Sequence, residues 1–570
     1  MLKPSLHVRL LGASIALVTA GTSLSALADH PATSVTSALL PIESVEAPAL
    51  SGSAVRNRLI EIDIATISPL ASARSVVEFG LFDDVVFQAA RQQVNVLGEG
   101  RWSWVGALVD EPQGVAQFAV RDGVVSGIIR SPKRGVFRVR YAGEAGVYIA
   151  EEIDTANLET CATGAAQSVA EPGDVAAIGS VTARGGTSTI DVLIGYTAAA
   201  RSEAGGTAGM LAEIDLAVAS ANLAYQNSEV DIDLVLVHAM YIAYSETGNA
   251  STDLTNWRFD GDGSMDEVHD DRDDIAADMC ALLVSSLNAC GIGNLMTVPS
   301  TAFQNRAFTV TELGCAVNNL SFAHELGHNL GCAHDHDNAS TGAYSYSFGY
   351  RDPSAPANWR TVMAYAPGVR IPYFSNPDVT YFGQPTGIST GTSPANNALS
   401  LNQTRTIAEL WRDASTRQPV QFDLDSPSNG LSSVWGDFEF TWESAGLVEM
   451  YSLIIATDAG LNNVVYQADG LTGNSFTLPV GVLAGCTTFY WGIEATLNGN
   501  TRSATPVSRV FSTRLGGDIN LDGVVDTADL GGLVGSFGGT GNFGDINGDG
   551  IVDTADLGAL IGEFGQSCSP

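Results

Sequence analysis

The stretch Asn318 to Asp335, NNLSFAHELGHNLGCAHD, contains the pattern H-E-x-x-H-x-x-G-x-x-H, and it constrains this chain more than any other feature. His324 and His328 are four residues apart, so on a helix they lie one turn apart on one face and can both turn an imidazole toward a single metal ion. Zinc suits such a pair. Glu325, one residue round, can reach a water at the metal as a general base without taking a coordination position. Gly331 is placed to end the helix in a left-handed conformation, and the turn lets His334 return as a third ligand. Three protein ligands leave one position open, which distinguishes a catalytic zinc site from a structural one. A bare H-E-x-x-H also arises by chance on an amphipathic helix, here with Leu326 and Leu330 facing a core. The glycine and third histidine in register, and Thr361-Val362-Met363-Ala364-Tyr365 downstream as a candidate Met-turn, argue against chance.

With these parts in place the chain resembles the metzincin metalloproteases. Within them it is most similar to the reprolysin-like secreted bacterial endopeptidases, a group that includes peptidyl-Asp metallopeptidases. The likeness is carried by Ile190-Asp191-Val192-Leu193-Ile194-Gly195-Tyr196-Thr197, by Cys290-Gly291-Ile292-Gly293, by the histidine motif, and by Ile371-Pro372-Tyr373-Phe374-Ser375-Asn376-Pro377. It covers roughly residues 187 to 412. The resemblance implies an α/β metzincin catalytic domain there, a zinc ion, and protein or peptide substrates. It also implies that Met363 forms a hydrophobic floor under the zinc, and that Tyr365 serves as a fifth ligand or oxyanion stabiliser, as in astacins and serralysins.

At 570 residues the chain exceeds what one hydrophobic core usually supports, so a multidomain protein is expected. The net charge of -36 disfavours nucleic acid as a partner, because an acidic surface repels phosphate. Residues 1–28 have a basic start (Lys3, Arg9), an apolar run and the small-residue site Ala26-Leu27-Ala28, the marks of a secretory signal peptide. No other segment is apolar for the ~18 residues that a membrane span needs. A secreted protein, extracellular or associated with the cell surface, is expected.

Residues 29–186 read as a β-rich propeptide and linker, with alternating strands such as Leu59 to Ile64 and Val136 to Tyr141. A retained β-module is the alternative. Cys161 closes this region. A thiolate is a good zinc ligand, so Cys161 is a candidate switch that fills the open position in a zymogen, a spare thiol being the other reading. Seven cysteines leave one odd in an exported chain, and removing Cys161 leaves an even number for disulfides.

The catalytic domain, 187–412, opens with a strand at Ile190 to Tyr196. A helix follows at Thr207 to Asn227, whose apolar stripe is Met210, Leu211, Ile214, Val218 and Leu223, and then strands near Ile232 to Val237 and Met279 to Val284. Asp260 to Met265 imitates a calcium loop but lacks the glycine at its sixth position, and reads as a surface loop. Ala307-Phe308-Thr309-Val310 is expected to be the edge strand above the cleft, to which an extended substrate could add. Cys290 with Cys315 and Cys280 with Cys332 are the pairings considered.

Residues 420–514, with Phe438 to Trp442, Tyr451 to Ile455 and Phe489 to Ile493, suggest an all-β sandwich that resembles a fibronectin type III module. Residues 515–570 contain a repeat. Asp518, Asn520, Asp522, Asp526 and Asp529 recur as Asp545, Asn547, Asp549, Asp553 and Asp556, at loop positions 1, 3, 5, 9 and 12 with glycine at 6, a pattern of oxygen ligands for calcium. Each loop feeds a short helix. Leu530, Leu533, Val534 and Phe537, matched by Leu557, Leu560, Ile561 and Phe564, are expected to pair in a small core. The duplication resembles a type I dockerin, a small α calcium-binding tail, and so implies a cohesin-bearing scaffold as partner; a calcium-stapled stalk without one is the alternative.

These parts describe a secreted zinc endopeptidase made as a zymogen and tethered or assembled through its tail. The rival is a catalytically inactive or non-proteolytic dockerin-bearing adhesin or binding protein. The complete ligand set and the presence of Glu325 argue against it.

Overall fold

The computed structural model describes residues 35–568 apart from 43–48, 51, 73–74, 157, 159–160, 163–185, 353–357, 436–437 and 541–542. The expected signal peptide at 1–28, and most of the linker before Thr187, lie outside the described residues. The protein is multidomain and β-rich, with a few helices concentrated around the histidine motif and at the C-terminus.

The first part is a ten-stranded sheet between Val35 and Ile153. From Val76 onward each strand pairs antiparallel with the next, which short turns permit. Asp122-Gly123, both at positive φ (50° and 78°), is the two-residue turn whose twist suits a hairpin. Alternating side chains bury Phe79, Trp104, Phe118 and Phe137 in a core of this sheet's own, with Phe79 stacked on Phe118 at 4.8 Å.

A second sheet follows, made of β1 (Ser188–Thr197), β2 (Ile232–Ile242), β3 (Met279–Val284), β4 (Gly291–Gly293) and β5 (Phe308–Glu312), in the order β2-β1-β3-β5-β4. The first four in that order are parallel, and their nearly continuous apolar runs are those of strands covered on both faces. The helices that position the site are α1 (Thr207–Asn227) and α2 (Ser321–Asn329). The apolar stripe expected on α1 understates its burial, since Glu213, Asp215 and Ser220 also face inward. The cause is that α1 packs against the N-terminal sheet as well as against its own. Arg138 meets Glu213 at 2.8 Å, Arg101 meets Asp215 at 2.7 Å, and Ser220 Oγ donates to Gln117 Oε1 at 2.9 Å.

Two sequence-based expectations are corrected here. The segment Ala307 to Val310 is not the edge, because β5 is covered by antiparallel β4, in the register Gly291 to Thr311 and Gly293 to Thr309. A three-residue strand with two glycines has no hydrophobic alternation to reveal it. The Cys290–Cys315 bridge is formed, but Cys280 and Cys332 are free. On β3 successive side chains alternate faces: Cys280, Leu282 and Val284 enter one core, and Met279, Ala281 and Leu283 the core that holds Cys332. The sheet therefore stands between the two thiols.

Residues 424–513 form two further sheets that share an aromatic core of Phe440, Trp442, Tyr451, Trp491 and Phe511. A Cys486–Cys568 bridge ties this part to the tail, and Trp435 Nε1 donates to Ile546 O at 3.3 Å. The tail carries α3 (Thr527–Ser536) and α4 (Thr554–Glu563). Its core holds Leu533 and Leu560 with Val525, Val552, Ile519 and Ile546, whereas Val534, Phe537, Ile561 and Phe564 are exposed, so only half of each matched apolar face is used. The β-branched residues of the loops fill the space instead. Among the described residues no helix is long and apolar enough to cross a membrane.

Candidate metal and active site

Helix α2 starts after Leu320, whose φ is 54°, and ends at Leu330. Gly331 follows at φ 89°, as the turn requires, and a Cβ there would meet the Ala343 Cβ at 2.5 Å. The chain returns as Ala333–Asp335, which pairs with Phe348–Gly349 and brings His334 over the helix. His324, His328 and His334 are all buried. His324 Nδ1 is bonded to Val362 O and His328 Nδ1 to Cys332 O, each at 2.8 Å. A carbonyl only accepts, so in both rings the proton is on Nδ1 and the Nε2 lone pair is free. Those lone pairs converge. His328 Nε2 lies 3.0 Å and His324 Nε2 3.2 Å from His334 Nε2. Burial holds the rings neutral, pushing His328 down to about 4 and His334 to about 2. Two free lone pairs and a third imidazole nitrogen at such range suit a shared cation, and tetrahedral zinc with three nitrogen ligands would set them about 3.3 Å apart.

The fourth group is Cys161, whose Sγ joins the three imidazoles with all four ligand atoms within 4.8 Å of one another. The thiol also lies 3.5 Å from Glu325 Oε2, while Glu325 Oε1 has no partner. Burial pushes the Glu325 carboxyl up to about 8. A nearby cation would draw it back down. Tyr365 donates its hydroxyl to Cys161 O at 3.0 Å and its ring lies 4.1 Å from that of His334; burial, with Cys161 and Glu325 nearby, keeps the phenol protonated. Met363 is fully buried against α2, where a Cβ on Gly327 would meet its Sδ at 2.6 Å. The small residue at 327 thus lets the thioether close under the helix.

The tail residues do not make a comparable cluster. Asp529 accepts from the backbone N–H of Ile519, Asn520 and Asp526, and Asp556 from Ile546, Asn547 and Asp553, so the position-12 carboxylates close their loops and cap α3 and α4. Asp518 accepts from Asp522 and Gly523, and Asp545 from Asp549 and Gly550. Asn520 and Asn547 donate to Asp522 and Asp549. Asp526 and Asp553 cap the helices at Ala528 and Ala555.

Sequence reasoning assigned no role to three features that shape the site. A Cβ on Gly291 would meet Glu325 Oε1 at 2.6 Å, and one on Gly293 would meet Glu325 O at 2.8 Å, so both glycines let the sheet edge approach the motif helix. Two glycines alternating in a strand are the signal that could have shown this. Asp335 accepts from Tyr365 N at 2.9 Å and directly follows His334. Arg370 is buried near the site, and no motif marks it.

A family model described as metallo-peptidase family M12B, reprolysin-like, matches residues 186–391. The chain is 35% identical over 365 residues, 60% of its own length and 84% of the relative's, to a peptidyl-Asp metalloendopeptidase of Stenotrophomonas maltophilia (strain R551-3). A protein of the same name from strain K279a is 33% identical over 61% of this chain and 85% of the relative. One from Xanthomonas campestris pv. campestris is 32% identical over 64% and 87%. The aligned spans are longer than 186–391, so the likeness extends beyond the metallopeptidase domain. The chain belongs to the reprolysin-like metallopeptidases. It is a zinc metalloendopeptidase.

Proposed function

We propose that His324, His328 and His334 hold the catalytic zinc and that Glu325 is the general base for hydrolysis of peptide bonds in protein substrates. The observation that carries this reading is the convergence of three buried imidazole Nε2 atoms beside a carboxylate oxygen with no partner. Zinc, when bound, supplies Lewis acidity toward a carbonyl oxygen and toward water. Glu325 takes a proton from the attacking water and delivers it to the leaving amine. Tyr365 donates its O–H to a carbonyl of the chain in the cleft, as it does to Cys161 O, and so serves as an oxyanion stabiliser. Met363 is the floor and Gly331 the turn that returns His334.

The N-terminal region, 29–186, is the propeptide of a zymogen, and Cys161 is its zinc switch. The placement of Cys161 Sγ among the three histidines supports this, as does Ala162 N–H, which donates to Gly291 O at 3.0 Å, the bond an added substrate strand would make at the edge. Residues 1–28 direct secretion to the extracellular space or cell surface. Residues 420–514 are a fibronectin type III-like spacer. Residues 515–570 are a dockerin-like tail that takes calcium through Asp518, Asn520, Asp522, Asp526 and Asp529 and their repeat counterparts, and tethers the enzyme to a cohesin-bearing scaffold.

Metal analysis tests the ligand assignment. The wild-type chain is expected to retain one zinc ion through dialysis, and His334→Ala to bind it at least about 100-fold more weakly. Undiminished zinc affinity in both His324→Ala and His334→Ala would contradict it.

A further inference from the structure

Strand β4 runs along α2 with two glycines, Gly291 and Gly293, on the side toward the helix, while Ile292 between them enters the core on the other side of the sheet with Leu282 and Val310. Neither glycine has a φ in the left-handed region, so backbone conformation does not ask for glycine at either position. Space does. A Cβ on Gly291 would stand 2.6 Å from Glu325 Oε1, 2.8 Å from its Cγ and 2.9 Å from its Cδ, so the side chain of Glu325 fills the place of the missing one. A Cβ on Gly293 would instead meet the backbone of the same residue, 2.8 Å from Glu325 O. Two positions on one face of the strand thus meet the side chain and the main chain of Glu325 separately.

The strand cannot retreat from an atom added at 291. It is paired to β5 through Gly291 with Thr311 and Gly293 with Thr309. Before it, Cys290 is bridged to Cys315, and Cys290 O accepts from Glu312 N–H at 3.0 Å. After it, Asn294 O accepts from Asn329 Nδ2 at 2.8 Å and Met296 N–H donates to His328 O at 3.0 Å, so its exit is tied to α2. The side chain of Glu325 must therefore give way, and it is fully buried with no partner to hold Oε1. Gly291 also meets the chain in the cleft. Its carbonyl accepts from Ala162 N–H at 3.0 Å, while Cys161 O, of the same peptide group, accepts from Tyr365 at 3.0 Å. One residue of the edge touches both the carboxylate and the peptide group laid beside it.

We propose that Gly291 is a positioning residue: the absence of a side chain there seats the Glu325 carboxylate and fixes its distance from the backbone of a peptide bound at the edge. This rests on the reading of Glu325 as the general base. A methyl group at 291 turns the carboxylate away but leaves the carbonyl of residue 291 and the three histidines in place, so it costs turnover and not binding. Misplacing a proton-transferring group by about 1 Å is enough to cost about 100-fold in rate.

The test measures stability and turnover together. In the zinc-loaded full-length chain, Gly291→Ala is expected to lower the thermal midpoint of the catalytic unit by about 2 °C or more, and by less than about half as much when Glu325 is already Ala, because the atoms it meets are then gone. Gly293→Ala, which meets main-chain atoms, should cost the same in both backgrounds. In the processed enzyme, Gly291→Ala should keep its zinc and a KM on a quenched fluorescent peptide within about threefold of wild type, with kcat lower by about 30-fold or more. Equal cost of Gly291→Ala in the two backgrounds overturns the proposal, and so does a zinc-loaded Gly291→Ala enzyme with kcat within about threefold of wild type. If Gly291→Ala alone fails to fold, recovery of folding on combining it with Glu325→Ala supports the seat, and no recovery overturns it. A Glu325→Ala enzyme that cleaves at the wild-type rate, with the stability differences still as expected, would remove the reading of Glu325 as the base and reduce Gly291 to a packing partner.

Discussion

Cys161 Sγ lies 3.5 Å from Glu325 Oε2, although 164 residues separate the two in the chain. The same sulfur lies 3.8 Å from His328 Nε2. One thiol thus touches both the proposed general base and a proposed metal ligand, and the backbone beside it holds Tyr365 and the sheet edge at Gly291. Burial, then the Glu325 carboxylate beside it, pushes this thiol up, and a cation among the imidazoles would favour its thiolate.

The proposed latency would follow from that contact. Cys161→Ser, which removes the soft ligand but keeps the size, is expected to raise the activity of the unprocessed chain on casein by at least about tenfold. An unprocessed variant no more active than the unprocessed wild type would contradict the assignment of Cys161 as a switch.

Asp271 gives a pH dependence of stability away from the metal. Burial, then Asp274 beside it, lifts its carboxyl from 3.8 to about 7. His238, 3.8 Å away, is held neutral by burial, down to about 4, and offers no charge in return. The folded value lies above the unfolded one, so the stability Asp271 contributes is complete below about pH 4 and is lost as pH rises through about 7. Asp271→Asn should therefore gain on wild type between pH 5 and 8. The linkage limit is about 4 kcal/mol, and about 1–2 is expected because the side chain is partly exposed. Calorimetric unfolding of both proteins at the two pH values checks this; a difference independent of pH would contradict it.

In the tail, Asp518 and Asp545 each hold their loops through backbone N–H groups, and a bound calcium ion would add its own ligation to that closure. Calcium is expected to slow amide exchange in α3 and α4 of the full-length chain by at least about tenfold, and Asp518→Ala with Asp545→Ala to abolish the effect while casein hydrolysis continues. Equal protection in excess chelator would refute calcium stapling.

The histidine motif was legible because its spacing alone decides which side chains share a helix face, and α1 was found at Thr207–Asn227 for the same reason. What was missed depends on partners far away in the chain. The inward charges of α1 have their counter-ions at Arg101 and Arg138. The bridge from Cys486 crosses 82 residues to Cys568. Gly291 matters because Glu325 packs where its Cβ would be. Spacing records none of these.

The most direct measurement compares wild type and Glu325→Ala for zinc content and casein hydrolysis in the same preparation. The carboxylate lies beside the ligands without being one of them, so one zinc per chain is expected in both proteins, with hydrolysis lower in the variant by about 100-fold or more. Hydrolysis near the wild-type rate in a zinc-loaded Glu325→Ala enzyme would contradict the assignment of Glu325 as the base.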